Sequence, residues 1–168
     1  MLMTQDIQVK RHKEVGTGIA HFSLQGFLAV GQTLVLNPET HTMSLLSDGP
    51  TLLVEQQLSA NEMHLIVPIL EYFPHYCPYE VLLAHITTNT VTTASIDRCR
   101  QRLQEAQASG RWQQELRPVR RALSSLRIKL RRFDLGISNL RERGSSLASM
   151  TEIGLEPAAS HGASSPSG

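Results

Sequence analysis

Apolar side chains recur at intervals of three and four residues between positions 115 and 133. This spacing predicts an α-helix with one apolar side that packs against a core. More than half of the intervening positions are basic, so the opposite side of the helix is cationic. The apolar positions are Leu116, Val119, Leu123, Leu126, Leu130 and Phe133, and the basic positions are Arg117, Arg120, Arg121, Arg127, Lys129, Arg131 and Arg132.

A β-hairpin is predicted directly after this helix. The helical pattern breaks at Asp134-Leu135-Gly136, and a short run from Ile137 to Arg141 follows. Glu142-Arg143-Gly144 is typical of a turn, and Ser145 to Ala148 is the return strand.

Upstream, the pattern from Phe27 onward favours β-strands. Three short apolar runs, 34–36, 43–46 and 52–54, are separated by turn sequences at 37–40 and 47–50. This arrangement predicts an antiparallel β-meander.

Three further helices are predicted between the meander and the basic helix. Ser59 and Glu62 form an S-x-x-E capping box that opens the first, whose apolar side runs from Leu65 to Phe73. Pro68 lies inside this helix and predicts a kink or a late start. The second helix covers 79–86, with a loop at 87–93. The third covers 95–109, with Ser95 as its N-cap.

These elements predict an α+β fold with one domain at 26–150, preceded by a leader at 1–25. The last segment, 151–168, is rich in Ala, Ser, Gly and Pro, which predicts a disordered tail. We expect a soluble, cytoplasmic protein, because no run is long and apolar enough for a membrane span or signal peptide. The two cysteines lack CxxC spacing and are expected to be reduced thiols.

Charge is distributed unevenly along the chain. Residues 98–143 hold thirteen Lys/Arg and four Asp/Glu, a net charge of +9, although the formal charge of the whole chain is only +1. Such a block predicts an anionic partner.

The segment from Leu123 to Leu130, LSSLRIKL, resembles the L-x-x-L-R-x-K-L pattern of the OmpR/PhoB-type winged-helix domain, the output domain of many bacterial response regulators. The segment from Ile137 to Leu147, ISNLRERGSSL, is similar to the family's wing, I-x-T-V-R-G-x-G-Y-x-L. The upstream elements occur in the family's order as far back as about residue 27. The resemblance implies a stand-alone and divergent winged helix-turn-helix, with an N-terminal β-meander, a three-helix core, an inserted helix at 95–114 and a C-terminal wing.

The resemblance also implies a sequence-specific transcription regulator of the kind used in two-component systems. Its recognition helix would enter the major groove and its wing the minor groove. Arg117, Arg127 and Asn139 would contact phosphates, while Arg120, Arg121, Ser124, Ser125 and Ile128 would face base edges. Arg141 would enter the minor groove, and Arg131 and Arg143 complete the DNA-binding set. Besides double-stranded DNA, the expected partners are RNA polymerase, through residues 87–114, and a second copy on direct repeats.

Two departures from the family pattern support an alternative. The R-G-x-G-Y of the wing has become Arg141-Glu142-Arg143-Gly144-Ser145, which adds a negative charge and removes a packing tyrosine. The alternative is therefore a winged-helix protein–protein interaction module that has lost DNA recognition.

No pattern typical of catalysis is present. The seven histidines show no HxxxH spacing, and the chain has no Gly-rich phosphate loop, G-x-S-x-G or H-E-x-x-H. We expect no enzymatic activity, no metal and no cofactor. The aromatic residues Trp112, Tyr72, Phe73, Tyr76 and Tyr79 are expected to belong to the core.

Overall fold

A computed structural model describes residues 18–48 and 51–150. The predicted leader lies mostly, and the predicted tail wholly, outside these residues. The described chain is α+β, as predicted, with a four-stranded antiparallel sheet, five α-helices and a small three-stranded sheet.

The four-stranded sheet is formed by β1 (Ala20–Phe22), β2 (Gln32–Asn37), β3 (Thr42–Ser47) and β4 (Thr51–Gln57), paired in that order. The three strands of the predicted meander are confirmed as β2, β3 and β4. Strand β1 was not predicted, because three residues are too few to establish an alternating pattern; it lies within the segment interpreted as a leader. The buried side chains of β1 to β3 are Phe22, Leu34, Leu36, Met43 and Leu45.

Helix α1 (Ala60–Tyr72) begins where the capping box places it. The Ser59 hydroxyl accepts a hydrogen bond from the Glu62 backbone N–H at 3.2 Å, and the Glu62 carboxylate accepts one from the Ser59 N–H at 2.9 Å. The helix continues through Pro68, so the expected late start is wrong. The capping box fixes the first turn well before the proline, which removes only one backbone hydrogen bond from a helix already formed.

Helices α2 (Tyr79–Thr87) and α3 (Thr93–Ala108) confirm the second and third predicted helices. The N-cap of α3 is Thr92 and not Ser95, so that prediction is wrong. Thr92 and Ser95 form a reciprocal capping box, in which Ser95 occupies the position more often held by Glu or Gln. Cys99, Leu103 and Ala106 of α3 are buried.

The basic helix predicted over 115–133 is divided into α5 (Arg117–Leu130) and a 3₁₀ turn (Arg131–Phe133). A four-residue helix α4 (Trp112–Glu115), which was not predicted, precedes α5. All six apolar positions of the stripe are buried, which confirms the predicted packing side. Pro118 lies in the first turn of α5, where its missing N–H costs no hydrogen bond.

The predicted hairpin is confirmed as β6 (Leu135–Leu140) and β7 (Gly144–Ser149). Asp134, in the left-handed region at φ 55°, turns the chain from the 3₁₀ turn into β6. A two-residue strand β5 (Cys77–Pro78), which was not predicted, pairs with the outer edge of β7, so the small sheet has the order β5-β7-β6. The hairpin is thereby attached to the loop that precedes α2.

Gly144 is required by the close approach of β5 to β7. A Cβ atom at this position would lie 2.0 Å from the carbonyl oxygen of Cys77 and 2.8 Å from its carbonyl carbon. Both atoms belong to backbone and cannot rotate away, so the two strands would have to separate.

We expect Gly144→Ala to lower the free energy of unfolding by about 1–3 kcal/mol, because overpacking at a backbone contact forces a main-chain shift. Urea denaturation followed by circular dichroism measures this. Ser146→Ala, on the same strand, serves as the control. Equal stability of Gly144→Ala and the wild-type protein would contradict the proposed close contact.

Candidate functional site

The outward side of α5 carries arginines that are open to solvent. Arg117, Arg120 and Arg121 are exposed, as is Arg131 in the 3₁₀ turn. None of them forms an ion pair with an acidic residue of the described chain. The cationic side predicted from the sequence is therefore present and electrostatically unneutralised.

Two of the three arginines of α3, Arg100 and Arg102, differ, because their charges are balanced locally. Arg100 pairs with Asp97 at 2.6 Å and with Glu80 at 3.4 Å. The Arg102 Nε atom lies 2.7 Å from Glu115 Oε2, an ion pair without hydrogen-bond geometry. The net charge of the 98–143 block is therefore expressed mainly on α5 and the hairpin, and much less on α3.

A cleft of about 510 Å³ separates α5 from the β6–β7 hairpin. Five of the predicted site residues line it: three on α5 and two on the hairpin. The residues that line it are Tyr79, Trp112, Gln113, Arg120, Leu123, Ser124, Arg127, Asn139, Arg141 and Glu142. Residues on two separate elements thus converge on one concave, cationic surface, which is suited to an anionic group.

Arg127 is the half-buried cation of this cleft. Its Nε donates to the backbone carbonyl of Ile137 at 3.3 Å, which ties α5 to β6. Burial lowers the pKa of Arg127, and no carboxylate of the described residues pairs with it. An arginine stays charged at neutral pH even so. The cleft therefore holds a partly desolvated positive charge without a counterion.

The hairpin side of the cleft is organised by polar contacts. The buried Ser145 hydroxyl donates to the Asn139 side-chain oxygen at 2.8 Å, directly across the two strands. At the turn, Arg141 and Arg143 are exposed. Glu142 has φ 59°, and its carboxylate accepts a long, 3.5 Å hydrogen bond from Gln107 of α3.

A second cleft, of about 360 Å³, lies where α5 crosses the beginning of α1. Arg121 and Ser125 of the predicted site line it, together with Glu62. Glu62 is only 3% exposed and accepts hydrogen bonds from the Ser59 N–H, the Ser125 hydroxyl and, at 2.7 Å, the Lys129 ammonium. One buried carboxylate therefore connects the start of α1 to the middle of α5.

These contacts use groups that the sequence assigned to base recognition. The Ser125 hydroxyl proton goes to Glu62, and the Ser124 hydroxyl donates to the Arg120 carbonyl at 2.9 Å. Only their oxygen lone pairs remain for a ligand. The other predicted residues, Arg117, Ile128, Arg131 and Arg143, are exposed outside both clefts, and Ile128 is 67% exposed.

Several residues of this region were not predicted as part of the site. Glu62 was identified only as a capping residue, and no sequence signal connects it with Lys129, 67 positions later. Arg132 belongs to the scaffold, because it donates to the Glu55 carbonyl at 3.1 Å and to the Gln56 side chain at 2.7 Å.

The expectation that the aromatic residues all belong to the core is partly wrong. Phe73 and Tyr79 are buried, but Tyr72 and Tyr76 are 38% and 37% exposed, since they lie at the end of α1 and in the following loop. Trp112 is partly buried and packs edge-on against Tyr79, with ring centroids 6.1 Å apart.

We expect Glu62→Gln to destabilise the protein by about 2 kcal/mol, because it removes a charge-assisted hydrogen bond and leaves Lys129 without its partner. The experiment is urea denaturation at several pH values. Burial by itself raises the pKa of Glu62, but the hydrogen bonds from Lys129, Ser125 and Ser59 outweigh it and hold the pKa below the ordinary 4.5.

The stability difference between wild type and Glu62→Gln should therefore be complete above pH 4.5 and shrink as the pH falls through the lower pKa of the folded state. Glu39→Gln, at an exposed turn, is the control and should show no such difference. A difference that does not depend on pH would contradict the role of the Glu62 charge.

No helix within residues 18–48 and 51–150 is long and apolar enough to cross a membrane, and these residues contain no group of three or more His, Cys, Asp or Glu side chains that could hold a metal ion. Cys77 and Cys99 are free and buried, and burial raises the pKa of the Cys77 thiol.

Comparisons with protein-family models, with curated proteins and with solved structures find no match.

Proposed function

We propose that the chain is a sequence-specific DNA-binding transcriptional regulator of the winged helix-turn-helix type. Helix α5 is the recognition helix and enters the major groove, and the β6–β7 hairpin is the wing that reaches the minor groove. The observation that carries the proposal is the set of exposed arginines on α5 and the hairpin without carboxylate partners.

The order of elements supports the same interpretation. A β-meander, α1, α2, an inserted helical segment, a basic helix and a hairpin follow one another as the OmpR/PhoB-type resemblance implies. Helix α2 packs on α1, α3 and α5, which suits the supporting helix of a helix-turn-helix. The region 87–114, with α3 and α4, is additional, and we assign it to contacts with RNA polymerase.

The roles of the residues follow from their surroundings. Arg127, which is held by Ile137, and Arg117, at the start of α5, bind phosphates and supply sequence-independent affinity. Arg120 and Arg121 face base edges, where an arginine prefers guanine by about 1–3 kcal/mol. Ile128 offers an exposed apolar side chain, which suits the methyl group of thymine.

Arg141, at the hairpin turn, enters the minor groove, while Arg131 and Arg143 extend the cationic surface along the backbone. Asn139 accepts from Ser145, so its side-chain NH₂ group remains to donate to a phosphate. A second copy bound to a direct repeat would double these contacts.

We expect duplex DNA selected from a random pool to bind the protein, with affinity at least about tenfold weaker at ~200 mM than at ~50 mM salt, because binding releases counterions. A mobility shift measures this. Arg120→Ala combined with Arg141→Ala should abolish the shift, whereas Arg98→Ala, an exposed arginine on α3, should leave it nearly unchanged. Affinity that is independent of salt would contradict the proposal.

The alternative, a protein–protein interaction module, is favoured by one observation. Glu142 places a carboxylate in the wall of the cationic cleft, where it opposes DNA phosphates. A protein partner that is still captured by the Arg120→Ala/Arg141→Ala double variant would support the alternative.

Glu142 itself provides a further test. Glycine, which the family has at this position, tolerates φ 59° without a steric penalty, and its introduction also removes the negative charge. We expect Glu142→Gly to raise DNA affinity about threefold to tenfold and to change stability by less than about 1 kcal/mol. Glu142→Gln is the matched control, because it removes the charge and keeps the side chain. Unchanged affinity in both variants would mean that the carboxylate does not face the DNA.

A further inference from the structure

The cleft between α5 and the hairpin has the properties of a small-molecule site as well as of a DNA-binding surface. Its volume of about 510 Å³ lies within the range of ligand pockets, about 300–1,000 Å³, and is larger than a single phosphodiester needs. It is concave, and an aromatic pair, Tyr79 and Trp112, forms part of its wall.

The charges of the cleft specify the class of ligand. Arg120, Arg127 and Arg141 line it, and none of them has a carboxylate partner among the described residues. The single acid in the wall, Glu142, contacts Gln107 rather than an arginine. Three guanidinium groups on one concave surface match a ligand with several negative charges, and arginine binds phosphate in a bidentate manner.

Arg127 strengthens this conclusion, because a hydrogen bond to β6 holds it at the cleft. Its Nε is fixed on the Ile137 carbonyl and its side chain is half-buried, so the charge is partly desolvated even without a ligand. An uncompensated charge in such surroundings is costly, and a bound anion would offset that cost.

We propose that this cleft binds a small phosphorylated molecule, whose phosphate groups are held by Arg120, Arg127 and Arg141 and whose remaining part lies against Trp112. This ligand site does not depend on whether the protein binds DNA. If α5 and the hairpin bind DNA as proposed above, however, the ligand and the DNA would compete for the same three arginines, and the ligand would act as a negative effector.

Trp112 is the single tryptophan of the chain, so tryptophan fluorescence reports on ligand binding in this cleft. Inorganic pyrophosphate is titrated into the full-length protein at about 150 mM salt, and tryptophan fluorescence and calorimetry are recorded in parallel. We expect a saturable fluorescence change with 1:1 stoichiometry. Sodium sulfate at matched ionic strength should give a weaker response.

Arg120→Gln should weaken pyrophosphate binding by at least about tenfold, because one charge-assisted interaction is lost. Arg120 is exposed, so this variant should fold normally. Arg98→Gln removes an exposed arginine outside the cleft and is the matched control, which should stay within about twofold of wild type. Arg127→Lys keeps the charge but loses the planar donor fork, so it should bind more weakly than wild type.

The absence of both a fluorescence change and heat would overturn the proposal, as would equal weakening by Arg120→Gln and Arg98→Gln. The outcome for DNA is separate. If the protein binds DNA but not pyrophosphate, the proposed DNA-binding function stands and the proposed ligand site is wrong. If it binds pyrophosphate but not DNA, the ligand site stands and the DNA-binding function is wrong.

Discussion

The buried carboxylate of Glu62 is the interaction on which the arrangement of the cationic helix depends. It belongs to the first turn of α1, yet it accepts hydrogen bonds from Ser125 and Lys129, which lie one turn apart on α5. A buried charge requires partners that are positioned accurately, because misplaced partners leave its desolvation uncompensated. The apolar stripe determines which side of α5 packs on the core, and the contacts of the carboxylate with Ser125 and Lys129 define the register of α5 against α1. The buried contacts of Glu62 therefore determine the direction in which the outward arginines of α5 point.

The basic residues of α5 and of the 3₁₀ turn that follows it fall into two groups. Lys129 neutralises Glu62, and Arg132 caps carbonyl and amide oxygens of β4, so both positive groups hold the fold together. The remaining arginines have no acidic partner in the described chain, and they repel one another. A protein keeps such an arrangement at some cost in stability, which an anionic ligand would reduce. On α3, by contrast, Asp97, Glu80 and Glu115 balance the charges of Arg100 and Arg102.

Local patterns in the sequence were sufficient for much of the fold. The apolar runs and turn sequences of β2 to β4, the Ser59 capping box and the apolar stripe of α5 each depend on residues close together in the chain, and all three were predicted correctly. The prediction failed where an element is very short or owes its existence to a distant contact. Strand β5 has two residues and forms only because β7 is beside it, and β1 is defined by its pairing with β2.

Prediction of the candidate site from the sequence was limited in the same way, because it depends on contacts between distant residues. Its composition was predictable, because periodicity alone brings Arg120, Ser124 and Arg127 to one side of a helix. Its shape was not, because the cleft depends on the distance between α5 and the hairpin and on Trp112 from the unpredicted α4. The attachment of Ser125 to Glu62 likewise joins residues 63 positions apart, and nothing near either residue indicates it.

The pairing of β5 with β7 links the hairpin to the connection between α1 and α2. Gly144 lies against the Cys77 backbone, and the Tyr79 N–H donates to the Arg143 carbonyl at 3.0 Å. Surface loops usually tolerate changes of length. The length of the loop between α1 and β5, however, sets the tilt of the hairpin over α5. An inserted residue between Phe73 and Cys77 would therefore alter the opening of the cleft without touching any arginine.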